Sequence, residues 1–207
     1  MKKAKGEVPI EESVGTMARM VEEGKTRYIA LSEASPESMR RAWTVHPIAS
    51  LQFELSIFSR DPLEMGNLDC ARELGMGFMA YSPLGRGILS GQVHSSDDIP
   101  EGDTRKNYPR YSAENMAHNA KILAKLENLA AEKGISLPCL AIAWVLHQGD
   151  DIVPIPSSKC RDHLADNLKA LEVELTREDL ARIDEICPSG AVAGTRYPEQ
   201  MMVRMNV

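Results

Sequence analysis

With 207 residues, 43% of them hydrophobic, the chain holds enough apolar material for one or two compact domains, and no Pro/Gly/Ser-rich linker divides it, so one unit over 1–207 is expected. A formal charge of −6, from 24 basic and 30 acidic side chains mixed along the sequence, excludes the basic footprint of a nucleic-acid binder. No stretch is long and apolar enough to span a bilayer, and the four cysteines lack metal-ligand spacing, so a reduced, cytoplasmic protein with no metal site is expected.

Lys2, Lys3 and Lys5 read as a frayed, solvated start. From Pro9 to Glu23 the apolar residues Ile10, Val14, Met17 and Val21 recur at helical steps, and Gly24 follows as a stop. Thr26 to Leu31 is short and rich in β-branched and aromatic residues, which predicts a strand ending at Ser32. Ser35 is placed to cap a helix whose first residue is Pro36. A second strand is expected from Ile48 to Phe53, then a helix opening at Asp61-Pro62 and running to Leu74, then a third strand near Gly77 to Ala80. A polar segment, 90–115, carries much Gly, Pro, Asp and Ser, and a loop of that length is expected to be functional or mobile.

Two helices follow, Met116 to Lys133 and the unusually apolar Ser136 to Gln148. A fourth strand begins at Ile152, a helix spans Asp162 to Leu171, and Thr176 is placed to cap a last helix from Arg177 to Ile186. Strands and helices alternate throughout, which argues an α/β fold with about four parallel strands and helices outside. His46, His94, His118 and His147 form no constellation with Ser, Cys or Asp, and two of them sit at helix ends, where a cation suits the dipole.

Four motifs stand out in order: Arg27-Tyr28-Ile29-Ala30-Leu31-Ser32; Leu51-Gln52-Phe53-Glu54; Ala80-Tyr81-Ser82-Pro83-Leu84-Gly85-Arg86-Gly87; and Val153-Pro154-Ile155-Pro156-Ser157-Ser158-Lys159 with Asp166-Asn167 after it. From about Val8 to the C-terminus the chain resembles the aldo-keto reductase family. The resemblance implies a (β/α)8 TIM barrel, of which this chain matches the C-terminal half, with the four strands as the fifth to eighth. It also implies NADP(H) as cofactor and a small aldehyde or ketone as substrate, reduced to the alcohol.

On the same resemblance, Ser32 and Gln52 would hydrogen-bond the nicotinamide carboxamide and Tyr81 would stack on the ring. Ser82, Leu84 and Arg86 would line the pyrophosphate. Ser157, Ser158, Lys159, Asp166 and Asn167 would hold the adenosine end, with Lys159 or Arg161 near a 2′-phosphate. Many relatives carry Asn where Glu33 stands and Arg where His163 stands. The family's catalytic Asp, Tyr, Lys and His fall in its first half, and nothing here matches them, so no catalytic residue is assigned. The expectation is that this chain supplies only the cofactor-binding half of such an enzyme and is inactive alone; the alternatives are an inactive half-barrel serving as a nucleotide-binding or oligomerisation module, or a truncated gene product. The unpaired strand edges of a half-barrel would favour a homo-oligomer or a separate N-terminal half as partner.

Overall fold

The computed structural model describes residues 8–203 and Met205, so the expected solvated start at Lys2, Lys3 and Lys5 lies outside the described residues. The elements run α1 (Ile10–Glu22), β1 (Ala30–Ser32), α2 (Pro36–Trp43), β2 (Ser50–Glu54), α3 (Asp61–Glu64), α4 (Asn67–Glu73), β3 (Gly77–Tyr81), α5 (Ala113–Glu132), α6 (Leu137–Leu146), β4 (Ile152–Ile155), α7 (Arg161–Lys169), α8 (Arg177–Ile186) and α9 (Glu199–Met202). The four strands make one sheet in the order β1, β2, β3, β4, and every pair is parallel. The fold is therefore α/β, with each strand's carboxyl end at the same edge.

The register sorts the side chains into two faces, because paired residues in a parallel ladder point the same way and alternate along each strand. Leu31, Leu51, Phe78 and Ile152 form one rung, Phe53 and Ala80 the next, and all are buried. Helix α6 joins this core. It is apolar on all sides, from Cys139 to Val145 entirely buried, as a helix without a polar stripe must be. The opposite face carries Ser32, Gln52, Met79 and Val153 in one rung and Glu54, Tyr81 and Ile155 in the next. Val153 is 58% and Ile155 36% exposed, so the β4 end of this face is uncovered among the described residues.

Local chemistry sets most boundaries. Ser35 caps α2 by accepting from the Ser38 N–H at 3.2 Å, and Thr176 and Asp179 form a reciprocal capping box on α8. Strand β1 is shorter than the Thr26 to Leu31 expected: its pairing with β2 runs only over Ala30 to Ser32, while the Tyr28 carbonyl accepts from the Thr26 hydroxyl at 3.0 Å. The single helix expected from Asp61 breaks into α3 and α4 at Gly66, whose φ of +75° no ordinary helical residue adopts. Pro154 is tolerated inside β4 because that strand is paired only with β3. The polar segment expected over 90–115 ends earlier, at Ser112, which caps α5 through the Asn115 N–H, and three short 3-10 turns, at 96–98, 104–107 and 109–111, order it. Among the described residues no single helix is long and apolar enough to cross a membrane.

The capping box predicts that Thr176→Ala lowers stability by about 1 kcal/mol in urea unfolding, while Thr176→Ser stays close to wild type. The Lys133 ammonium, 2.6 Å from Asp179, keeps the carboxylate of the box anchored in both variants.

Candidate functional site

Two neighbouring sites share the carboxyl edge of the sheet. The first is a cavity of about 640 Å³ between the turn after β3 and the mouth of α7. Of the residues singled out in the sequence, Ser82, Leu84, Arg86, Ser157, Ser158, Lys159, Asp166 and Asn167 all line it. The remaining three, Ser32, Gln52 and Tyr81, do not. They stand half-buried on the same face of β1, β2 and β3 as Glu54, with Ser32 and Gln52 in one rung and Tyr81 in the rung beyond.

The turn after β3 is strained by design. Ser82 and Arg86 hold left-handed φ angles of 51° and 57°, a conformation that costs a non-glycine residue on the order of 1–3 kcal/mol. Gly87, at φ +103°, lets the chain pass close to Arg105, since a Cβ there would meet the Arg105 Nη1 at 2.9 Å. Tyr111 holds the turn from beneath, donating its hydroxyl to the Gly85 and Arg86 carbonyls at 3.0 and 3.1 Å. Burial pushes that phenol up to about 12, and at 3% exposure it serves the turn rather than any proton transfer to a ligand.

The cavity's donor set suits an anion. Arg105 reaches in from the loop, donating to the Arg86 carbonyl at 3.1 Å and gripping both oxygens of Asp103, whose carboxyl falls to about 2 chiefly through that hydrogen bonding. Lys159 adds to the same depression, so the loop's Asp103 and the exposed lysine face each other. His163 lies 3.2 Å from the Gln92 amide and ties the loop to α7. The N–H groups of His163 and Asp162 draw the Cys160 thiol below its usual range, which registers the positive potential at the start of α7. Phosphate oxygens would meet the same amides there.

Several predicted contacts are already committed. The Ser158 hydroxyl donates to the Cys160 carbonyl at 2.7 Å and accepts from its N–H, closing a local turn just before α7. Asp166 accepts from the Ser136 hydroxyl and from Lys169. Arg86 gives its Nη2 to the fully buried Glu54 at 3.0 Å and packs over the Tyr197 ring at 4.3 Å, so its charge is neutralised within the protein. Arg161 is exposed at the start of α7 and does not line the cavity.

The second site is a buried cluster of three carboxylates and three guanidiniums. Arg196, 3% exposed, forks onto Glu33 at 2.7 and 2.8 Å and lies 3.3 Å from Asp61 and 3.7 Å from Glu54. Arg110, 7% exposed, donates to Ser59, and Ser59 donates to Glu54. Burial raises the affinity of Glu33 for a proton, but the Arg196 bonds and charge, with Tyr81 and the Glu54 N–H, outweigh it and leave the carboxyl below its usual range. Tyr81 moves the other way: burial, then the charges of Glu54 and Glu33, keep its phenol protonated, and it donates to Glu33 at 2.7 Å. Both oxygens of Glu33 are therefore engaged, and it offers nothing to an amide ligand at Ser32.

Sequence reading did not find Arg196, Glu54, Arg105 or Tyr197. The only local sign of the first was Gly194-Thr195-Arg196-Tyr197-Pro198 after the last expected helix. Gly194, at φ +82°, packs where a Cβ would sit 2.6 Å from the Arg110 backbone, so the segment can approach only as glycine. Acidification tests the cluster. Because the Glu33 carboxyl is depressed in the fold, its contribution to stability is present above the ordinary carboxylate range and is lost as pH falls through the lowered value. Hydrogen exchange in residues 191–198 is expected to rise over that acid window, and much less so in Glu33→Gln.

Comparison with known proteins gives one consistent family. The model of the aldo/keto reductase family matches residues 3–188. "Probable aldo-keto reductase 1" of Glycine max is 46% identical over 190 residues, covering 92% of this chain and 54% of that protein. The Schizosaccharomyces pombe aldo-keto reductase yakc, described as NADP(+), is 43% identical over 195 residues, covering 93% and 57%. The chain thus spans about half the length of the curated relatives it matches. Among solved structures, a glycerol dehydrogenase from Gluconobacter oxydans superposes with a TM-score of 0.81 at 27% identity, over 88% of this chain and 55% of its own. An aldo-keto reductase from Klebsiella pneumoniae in complex with NADPH gives 0.66 at 25% identity, over 98% and 59%.

Proposed function

This chain belongs to the aldo/keto reductase family, and from that premise we propose that it supplies the NADP(H) site of an enzyme reducing aldehydes or ketones to alcohols. The observation that carries the reading is the single cavity at the carboxyl ends of β3 and β4, which gathers eight of the residues named from sequence. Ligands of parallel α/β folds bind at that edge. The NADP(+) in the name of the yakc relative and the NADPH complex of the Klebsiella protein support the choice of cofactor.

The bound cofactor would supply the hydride, and the residues of this chain would bind and orient it. Lys159, Arg105 and the N–H groups opening α7 would receive phosphate oxygens, with the loop over residues 82–112 arching across them and tied down at Gln92 and His163. The backbone of the strained turn at Ser82 and Leu84 would follow the pyrophosphate. Ser32, Gln52 and Tyr81 would frame the nicotinamide on the open face. Since Arg86 is bound to Glu54, its part is to shape the turn rather than to carry charge to phosphate.

Among the described residues none is assigned to the family's catalytic Asp, Tyr, Lys and His, and the 207-residue chain alone is proposed to be inactive. Its predicted place is the cytoplasm. A second reading, favoured by the exposed Val153 and Ile155, is an association module, joining a second copy or a separate N-terminal half through the uncovered face.

Fluorescence titration distinguishes the two. The purified chain is expected to bind NADPH more tightly than NADH, with the difference shrinking in salt, and Lys159→Ala is expected to weaken NADPH by about fivefold while leaving NADH nearly unchanged. An association module without a nucleotide site would give no saturable signal with either. With 4-nitrobenzaldehyde the wild-type chain is expected to oxidise NADPH negligibly. Robust turnover would place a proton donor within this chain and overturn the proposed inactivity.

A further inference from the structure

Tyr81 ends β3 with its ring on the uncovered face and its oxygen drawn to one side. That oxygen donates to Glu33 at 2.7 Å and lies 3.3 Å from both the Arg196 Nη1 and the Tyr197 hydroxyl. The phenol oxygen lies on the long axis of the ring, so holding it fixes the direction of that axis, and because a phenol's hydrogen bonds favour the ring plane, the three partners around the oxygen also orient the plane. Glu33 in turn is aimed by its own left-handed backbone, φ 54°, by the Glu54 N–H at 3.2 Å and by the two-pronged Arg196. Arg196 arrives from a segment 163 residues away, with its guanidinium 5.2 Å from the Phe53 ring and 3.3 Å from Asp61.

A buried ion pair is weak support for stability, because desolvation offsets most of the attraction. What such a pair does well is hold one geometry, since a misplaced partner leaves a bare charge in the interior. Here the held object is the only aromatic ring among the described strand residues of the open face.

We infer that Glu33 and Arg196 are positioning residues for Tyr81, so that docking of the C-terminal segment through Arg196 sets the ring plane against which a nicotinamide would lie. The inference rests on the cofactor reading above. It also explains why a carboxylate suits the position after Ser32: its role is to grip Arg196 and accept from Tyr81, and the carboxamide is left to Ser32 and Gln52.

The test compares a ligand that has a nicotinamide with one that lacks it. NADPH and adenosine 2′,5′-bisphosphate are titrated against the full chain and its Tyr81→Phe, Arg196→Met, Arg196→Lys and Tyr81→Phe/Arg196→Met variants. Tyr81→Phe keeps the ring and removes the oxygen, so NADPH affinity should fall about five- to tenfold while the bisphosphate changes less than twofold. Arg196→Met should show the same pattern and add nothing in the Tyr81→Phe background. Lysine cannot make the two-pronged bond, so Arg196→Lys should show a smaller loss of the same kind. Should Arg196→Met fail to fold, Tyr81→Phe and Arg196→Lys still decide the matter. Equal losses for both ligands, or losses that add in the double variant, would overturn the inference and leave the cofactor reading intact. A wild-type chain that binds neither ligand would overturn both.

Discussion

The carboxyl edge of this sheet is organised by the pairing of Glu33 with Arg196. Both groups are almost wholly removed from water, at 2% and 3% exposure, and neither could sit there alone. Removing one member of such a pair commonly costs about 3–5 kcal/mol, because the other charge is left bare. Around the pair the cluster is balanced: Glu33, Glu54 and Asp61 against Arg196, Arg86 and Arg110. Each guanidinium comes from a different segment, the C-terminal run, the turn after β3 and the end of the long loop. The balance therefore joins three otherwise independent stretches of chain at one place.

That junction explains why the two sites have different characters. In the cavity Arg105 is already held by Asp103, and Lys159 stands exposed, so an incoming anion would meet the charge of the lysine first. In the cluster next to it Glu33, Glu54 and Asp61 each lie within ion-pair distance of a guanidinium, and the consequence is shape: a ring held at a set angle and a turn kept in a left-handed conformation at Ser82 and Arg86. Arg86 joins the two, lining the cavity while its charge belongs to Glu54.

The loop over residues 82–112 follows the same division. Its composition suggests mobility, yet the Tyr111 hydroxyl and the Arg105 guanidinium bond the Gly85 and Arg86 carbonyls within the loop, and the Gln92 contact with His163 ties the loop to α7. Gln92, Arg105 and His163 all line the cavity, so opening the loop there would break the Gln92 contact. Stability here is local and polar, and it differs from the apolar packing of Leu51, Phe53, Phe78 and α6 beneath.

The sequence by itself determined the alternation of elements, because helical steps such as Ile10, Val14, Met17 and Val21 and caps such as Ser35 and Thr176 are local signals. Turns whose Pro and Gly mark the ends of strands, together with the family resemblance, also pointed to eight residues that line the cavity, among them Ser82, Leu84, Arg86 and Ser157 to Lys159, though not to Gln92 or Arg105. It was misled where a local bond or a turn decides: β1 pairs only from Ala30, the Tyr28 carbonyl being taken by the Thr26 hydroxyl, and the helix from Asp61 broke at Gly66. Only the tertiary structure decided which charged residues are buried together. Glu33 and Arg196 are 163 positions apart, and nothing in the neighbourhood of either announces the other. An ion pair in the interior depends on desolvation and on two side chains meeting at bond distance, and both are properties of the folded chain that no local spacing encodes.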